Sequence, residues 1–457
     1  MHGQNLTTGS VPRQLCSLAW PMMLSMFFYT LYNLVDAYWV AKLSPDAIAA
    51  VSISQITLFI MISLAMGISI GSAVLMGMNM GAGNKQEAQR ILGQAYALAG
   101  IVAVFFTALA LTFGAEFLTL SGAIGDIFPL GLSYFNITAA GSILTFLMMT
   151  TSTAFNAQGD NFTPTKLFAL STLVNTLLDP MFIFGFGVIP AMGIDGAAYA
   201  TLISQSVFLA LALKVLASEQ MMVRLRFSNL RLRWESVKRV LNIGIPASLT
   251  QTLNPIGFSL MMAIVSGTFL EAGAAAFSIG FRIEFFAFIP AIGFGFGSMA
   301  MIGQNIGAGN KRRAQEILNT AVLLGAGAAF AFAVTAYVLA PLIVEAFTTD
   351  ATVTAYTLQY FRIVPFGYAF FAMTFIVAST FQGLGHSWPG FWITVGRVGT
   401  MLILANVFVA KLSLPIWSVW LAIALGGVLA SIAGLIWIRL VVAHLRVPEE
   451  SQNRETA

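Results

Sequence analysis

The sequence predicts an all-α integral membrane protein whose twelve transmembrane helices form two six-helix lobes related by a pseudo-twofold axis. Three observations carry that prediction. Hydrophobic residues make up 58% of the 457 positions and charged residues 9%, against about 45–50% and about 25% in soluble domains. A soluble fold of this size cannot hide so much apolar surface, so the solvent is lipid. The apolar residues also fall into long stretches, and a helix needs about 20 such residues to cross about 30 Å of hydrocarbon. Finally, the word GAGNK stands at 81–85 and again at 307–311, an offset of 226 residues.

The first half reads as spans 14–41, 47–78, 89–114, 125–154, 163–187 and 194–217. The second half reads as 240–267, 272–304, 315–346, 354–381, 388–413 and 415–443. Turn signals separate most of them: Ser44-Pro45-Asp46, then 81–84, 158–164 and 307–310. Backbone polar groups in lipid must be satisfied within the segment, and no alternating strand pattern is present, so the spans are helices. Lysine and arginine set the orientation. With the N-terminus, the even-numbered loops and the C-terminus on one side, seventeen basic residues fall there and only Lys42 and Lys411 opposite. Both termini are therefore expected in the cytoplasm. Arg282, Arg362 and Arg397 lie within spans or at their edges. No cleavable signal is expected, because Arg13 precedes a long apolar segment without a small-residue cleavage site. The single cysteine, Cys16, excludes a disulfide framework within the chain.

Aligned without a gap at the offset of 226, residues 50–95 match 276–321 at 20 of 46 positions. The matches include Gly67/Gly293, Gly71/Gly297 and Asn79/Asn305, and beyond that window the same offset aligns Tyr134 with Tyr360 and Gly141 with Gly367. The chain therefore divides into an N-terminal six-helix lobe (1–217), a basic linker (218–239), a C-terminal lobe (240–444) and a cytoplasmic tail (445–457). An even number of spans per half gives the halves the same orientation, a parallel repeat. The linker holds six basic and two acidic residues and reads as a cytoplasmic, lipid-facing amphipathic segment. GAGNK lacks the G-x-x-x-x-G-K-[ST] spacing of a nucleotide loop. It reads as a helix stop and tight reversal, with its basic residues at the headgroup level.

Ionisable groups inside membrane spans are costly and default to functional roles. Asp36 lies in span 1, in YTLYNLVDAYWV, and Asp179 in span 5, in STLVNTLLDPMF. Asn175 precedes Asp179 by four residues and Asn33 precedes Asp36 by three, so each amide shares a helix face with its acid. Pro21 and Pro180 lack an N–H and each frees a carbonyl one turn back. A carboxyl placed there can load and release a proton, or bind Na⁺ at Asp36, Asn175 and Asp179 if oxygens close around it. The alternative is that the acids only tie helices together. At the offset of 226 these positions face Met262, Met401 and Ala405, so cation coupling is expected in the N-terminal half alone. Arg282, Glu284 and Arg397 are expected to serve as salt bridges, gating contacts or interface anchors.

Several segments resemble the multidrug and toxic compound extrusion (MATE) transporters. LAWPMMLSMFFYTLYNLVDAYWV is similar to their first helix. FNAQGDNFTPTKLFALSTLVNTLLDPMFIFGFG is similar to their span 4–5 segment, GIDGAAYAT to the start of span 6, and IGQNIGAGNKRRAQ to the span 8–9 turn. The resemblance implies a V-shaped pair of lobes and multidrug efflux by alternating access, driven by H⁺ or Na⁺. It places the N-lobe cation site on Asp36, Asn175 and Asp179, and adds Thr201 from span 6. Spans 7 and 10 carry no acid, so the chain is similar to the DinF-like bacterial branch. The resemblance further implies a monomer in the bacterial inner membrane, with amphiphilic, cationic drugs and lipid as partners. No enzymatic activity, cofactor or nucleic acid is expected. Alternatives are a lipid-linked sugar or lipid flippase of related fold, and a major-facilitator-type transporter. The latter typically writes G-x-x-x-D-[RK]-x-G-[RK] between spans 2 and 3, where this chain writes GAGNKQEAQR.

Overall fold

A computed structural model describes residues 5–444; the expected tail at 445–457 lies outside the described residues. Its helices are α1 Val11–Ala41, α2 Pro45–Gly81, α3 Lys85–Leu120, α4 Ile127–Ala140, α5 Ser142–Ala157, α6 Phe162–Phe184 and α7 Ile194–Leu216. They continue as α8 Trp234–Gly307, α9 Lys311–Phe347, α10 Ala351–Ile363, α11 Tyr368–Gly383, α12 Ser387–Asn406 and α13 Trp417–His444. These make twelve spans once three breaks are taken into account. α8 runs for 74 residues and is interrupted at Leu270, whose φ of 54° is left-handed, so it holds spans 7 and 8. α4 and α5 meet at a 50° bend and form one broken span. α10 and α11 form another, joined by a 3-10 turn at Val364–Gly367 that contains Pro365. The two breaks fall at Gly141 and Gly367, paired by the repeat. At the first, Thr107 of α3 donates to the freed carbonyl of Ala139 at 2.8 Å.

The repeated word folds the same way twice. Gly83 and Gly309 take φ of 76° and 78°, a left-handed conformation that favours glycine. The amides of Asn84 and Asn310 each donate to the carbonyl five residues back, Asn79 and Asn305, at 2.8 Å. This is the predicted stop and reversal. Two residues beyond the second copy, an arginine reaches the start of the chain. Arg313 donates to the carbonyls of Gly9 and Thr8 and to Gln14 Oε1, and so clamps the segment before α1.

The chain forms two compact units that do not divide at the linker. One is built on Leu24–Ser248; the other joins Leu6–Met23 to the chain from Leu249 onward. The lobe boundary expected at 218–239 is thus replaced by two crossings inside helices. The first half of α1 packs in the second unit, and the first turns of α8 pack in the first. The glycines matched by the repeat explain how. In the first unit a side chain at Gly67 or Gly71 would strike the backbone of Gly244 or Val240. In the second, Gly293 lies against Ala19 and Met23, and Gly297 against Leu15 and Leu18. Membrane helices associate through such close backbone approach, because lipid offers little hydrophobic drive.

Up to Arg233 the linker is an irregular strap with one 3-10 turn, Phe227–Asn229; from Trp234 it already belongs to α8. Gln158 Oε1 accepts the Val223 amide at 2.8 Å and Gln94 Oε1 the Arg233 amide at 3.2 Å. Met221 and Val223 are buried. Buried backbone donors must be satisfied, and these two glutamines of the first unit fasten the strap to it.

Candidate functional site

The site lies in the first unit and is built by α1, α4, α6 and α7. On α6, Asn175 and Asp179 are one turn apart, both fully buried. Asn175 Nδ2 donates to Asp179 Oδ1 at 2.9 Å. Asp36 of α1 is buried as well, 3% exposed, and its charge acts on Asp179. Tyr32 of α1 and Tyr134 of α4 interact with both carboxyls. From α7, Thr201 is buried, and Ser204 Oγ donates to the Thr201 carbonyl at 2.8 Å. Ser171 Oγ of α6 donates to the Ser204 carbonyl at 2.9 Å, which fixes α6 against α7. The Tyr32 hydroxyl lies towards Thr201 and Ser204 but meets hydrogen-bond geometry with neither.

Four buried oxygens here have no protein partner: Asp36 Oδ1, Asp179 Oδ2, Asn175 Oδ1 and Tyr32 Oη. Buried polar atoms are paired as a rule, and each exception calls for an explanation. Carboxylate and amide oxygens accept, so what the cluster lacks is a donor or a cation. A proton meets that need, and so does a hard cation, which prefers oxygen ligands. Among the described residues no group of three or more His, Cys, Asp or Glu forms a metal cage. The donor set is two carboxyls, one amide and hydroxyls, which suits a weakly held, exchangeable ion.

The structure therefore brings together Asp36, Asn175, Asp179 and, through Tyr32, Thr201. It does not bring Asn33 in: its Nδ2 turns back to the Tyr29 carbonyl at 2.7 Å. Pro180 follows Asp179 on α6 and is half-buried, whereas Pro21 is buried in the part of α1 that packs in the second unit. Tyr32 and Tyr134 went unread in the sequence, though two signals were present. Tyr32 stands four residues before Asp36, on its face of the helix, and Tyr134 is kept by the repeat as Tyr360. In the second unit the counterpart positions belong to apolar packing: Met401 and Ala405 are buried in the core and Met262 packs against it.

Twelve spans written as a repeated pair of six, with Asp36 and Asp179 buried together in the first unit, define a secondary transporter. A sequence model of the family described as MatE matches residues 21–181 and 246–407, once in each half and over more than half of the chain. The chain belongs to this family, the multidrug and toxic compound extrusion transporters. Among curated relatives, it is 27% identical to a FAD transporter of Shewanella oneidensis over 88% of each chain. It is 26% identical to the probable multidrug resistance protein YpnP of Bacillus subtilis, over 84% of this chain and 85% of that one. Among solved structures, a MOP superfamily transporter from Pyrococcus furiosus superposes with a TM-score of 0.90 at 25% identity, covering 97% of this chain and 98% of that one. A MATE transporter in complex with MaL6 gives the same TM-score and identity, over 97% and 99%.

Proposed function

We propose that this chain is a secondary active efflux transporter that exchanges amphiphilic, cationic small molecules for H⁺, with Na⁺ the alternative coupling ion, by alternating access. The observation that carries the reading is the set of buried, unpartnered oxygens on Asp36, Asn175 and Asp179. Asp36 and Asp179 exchange the ion, Asn175 orients Asp179, and Thr201 and Tyr32 supply neutral oxygens. Ion binding ties α1 to α6 by satisfying both carboxyls at once; ion release leaves two like charges facing each other. The two states therefore differ in energy, as any ion that biases a conformational equilibrium requires. Both termini face the cytoplasm of a bacterial inner membrane, and the chain works as a monomer.

The match to one family in both halves supports this reading over the major-facilitator and flippase alternatives. A second reading of the cargo, an anionic flavin dinucleotide, is favoured by the likeness to the Shewanella relative. Proteoliposomes test both readings. Uphill efflux of a fluorescent cationic drug, and separately of FAD, is driven by an imposed pH gradient or by a sodium gradient. Drug efflux under one gradient, lost on Asp36→Asn, supports the reading. Equal efflux by parent and variant overturns it.

A further inference from the structure

The repeat puts one tyrosine at the same station in both units. Tyr134 is buried, 4% exposed, and interacts with Asp36 and Asp179. Its partner Tyr360 is fully buried and donates its hydroxyl to Glu284. A carboxyl thus stands at this tyrosine in each unit. The alignment concealed it, because the second acid comes from α8, at a position where the first half has Leu58.

The two sites differ in one respect. The groups that interact with Asp36 and Asp179 are each other, Tyr32, Tyr134 and Asn175, none of them cationic. Glu284 instead has Arg397 of α12 nearby, with no ion pair within 4.0 Å: the guanidinium covers the Phe371 ring, which packs edge-on against Phe288, one turn after Glu284 on α8, and each is a buried charge in the other's surroundings. The guanidinium, 8% exposed, donates to Asn254 Oδ1 at 2.5 Å and lies over the Phe371 ring at 4.2 Å. Tyr368 of α11 also interacts with Glu284, and its own buried hydroxyl has no partner. Tyr360, Tyr368 and Arg397 are the titratable or charged groups facing Glu284 from α10, α11 and α12. α9 and α13 give this core alanines, Val344, Val419 and Trp420, and Arg282 is exposed.

We propose that the second unit holds a pseudo-symmetric ion site that its own chain keeps loaded: Arg397 is the captive counter-cation of Glu284, in the role an exchangeable cation plays at Asp36 and Asp179. The inference rests on cation exchange at the first site. A guanidinium does not deprotonate in proteins, and a tethered charge does not diffuse away. A buried carboxylate stripped of its counter-charge is strongly disfavoured. The second unit therefore exchanges no ion, and one unit alone couples. Removing the guanidinium makes Glu284 exchangeable, with the unpartnered Tyr368 hydroxyl as a further oxygen for the incoming ion.

The test counts cations per chain on the detergent-purified full chain: protons taken up on a jump from alkaline to mildly acidic pH, and bound radioactive sodium. Arg397→Met is expected to take up one more cation per chain than the parent, and Glu284→Gln combined with Arg397→Met to return to the parental count. Glu284→Gln alone is expected to leave the count unchanged; a loss of one cation would mean that Glu284 already exchanges, and would overturn the proposal. So would an Arg397→Met count equal to the parent. Arg397→Gln repeats the measurement if the methionine variant does not fold. Asp36→Asn with Asp179→Asn, in the same assay, reports on the first site separately: an unchanged count there sinks the coupling reading itself.

Discussion

Replacing Asp179 with asparagine keeps the shape of the site and removes a charge. Asn175 donates to Asp179 Oδ1 at 2.9 Å, with both residues fully buried. An asparagine at 179 still offers an oxygen at that point, so the bond within α6 survives. The site has no cationic side chain to compensate for the missing charge. Two unit charges about 4 Å apart attract by about 4 kcal/mol at an effective dielectric of about 20. Losing one carboxylate should therefore weaken cation binding about a thousandfold, at about 1.4 kcal/mol per factor of ten. Asn175→Ala removes only one intramembrane hydrogen bond, worth about 0.6–1.7 kcal/mol, and should weaken cation binding about 3- to 20-fold. Both effects are read as the cation concentration that half-saturates drug efflux from proteoliposomes. The reasoning is refuted if Asp179→Asn folds and pumps at the parental cation dependence, or if Asn175→Ala is the more damaging of the two.

Tyr134→Phe keeps the ring and removes the hydroxyl, so half-saturation should stay within about threefold of the parent, a change of about 0.7 kcal/mol; a larger loss would make the hydroxyl an ion ligand. Gly71→Val should destabilise the first unit by about 1–3 kcal/mol, since the new side chain meets the Val240 carbonyl; a lowered melting temperature of the purified chain checks it. Gly83→Ala meets no atom within 4 Å, so its cost should be only the left-handed backbone penalty, about 1–2 kcal/mol. In a Cys16→Ala background, an impermeant maleimide applied to intact cells should label Lys42→Cys and spare Lys85→Cys; the reverse pattern would invert the topology.

The sequence by itself determined the solvent, the number of spans and the repeat. Each is local: an apolar stretch of sufficient length has to be a helix in lipid, and a glycine word that needs a left-handed residue makes the same turn wherever it stands. Asp36, Asn175 and Asp179 were legible for a related reason, because acids are rare in apolar spans and helix spacing puts Asn175 beside Asp179. Only the tertiary structure decided what those residues meet. Asn33 shares the spacing rule with Asn175 yet turns to the Tyr29 carbonyl, since a backbone acceptor one turn back competes with any partner on another helix. The exchange of half-helices at Met23 and Ser248 follows from close backbone approach at Gly67, Gly71 and Gly293, which no single segment reveals. Glu284 escaped the repeat alignment because register compares positions along the chain, whereas a carboxyl reaches Tyr360 through space, from whichever helix happens to pack there.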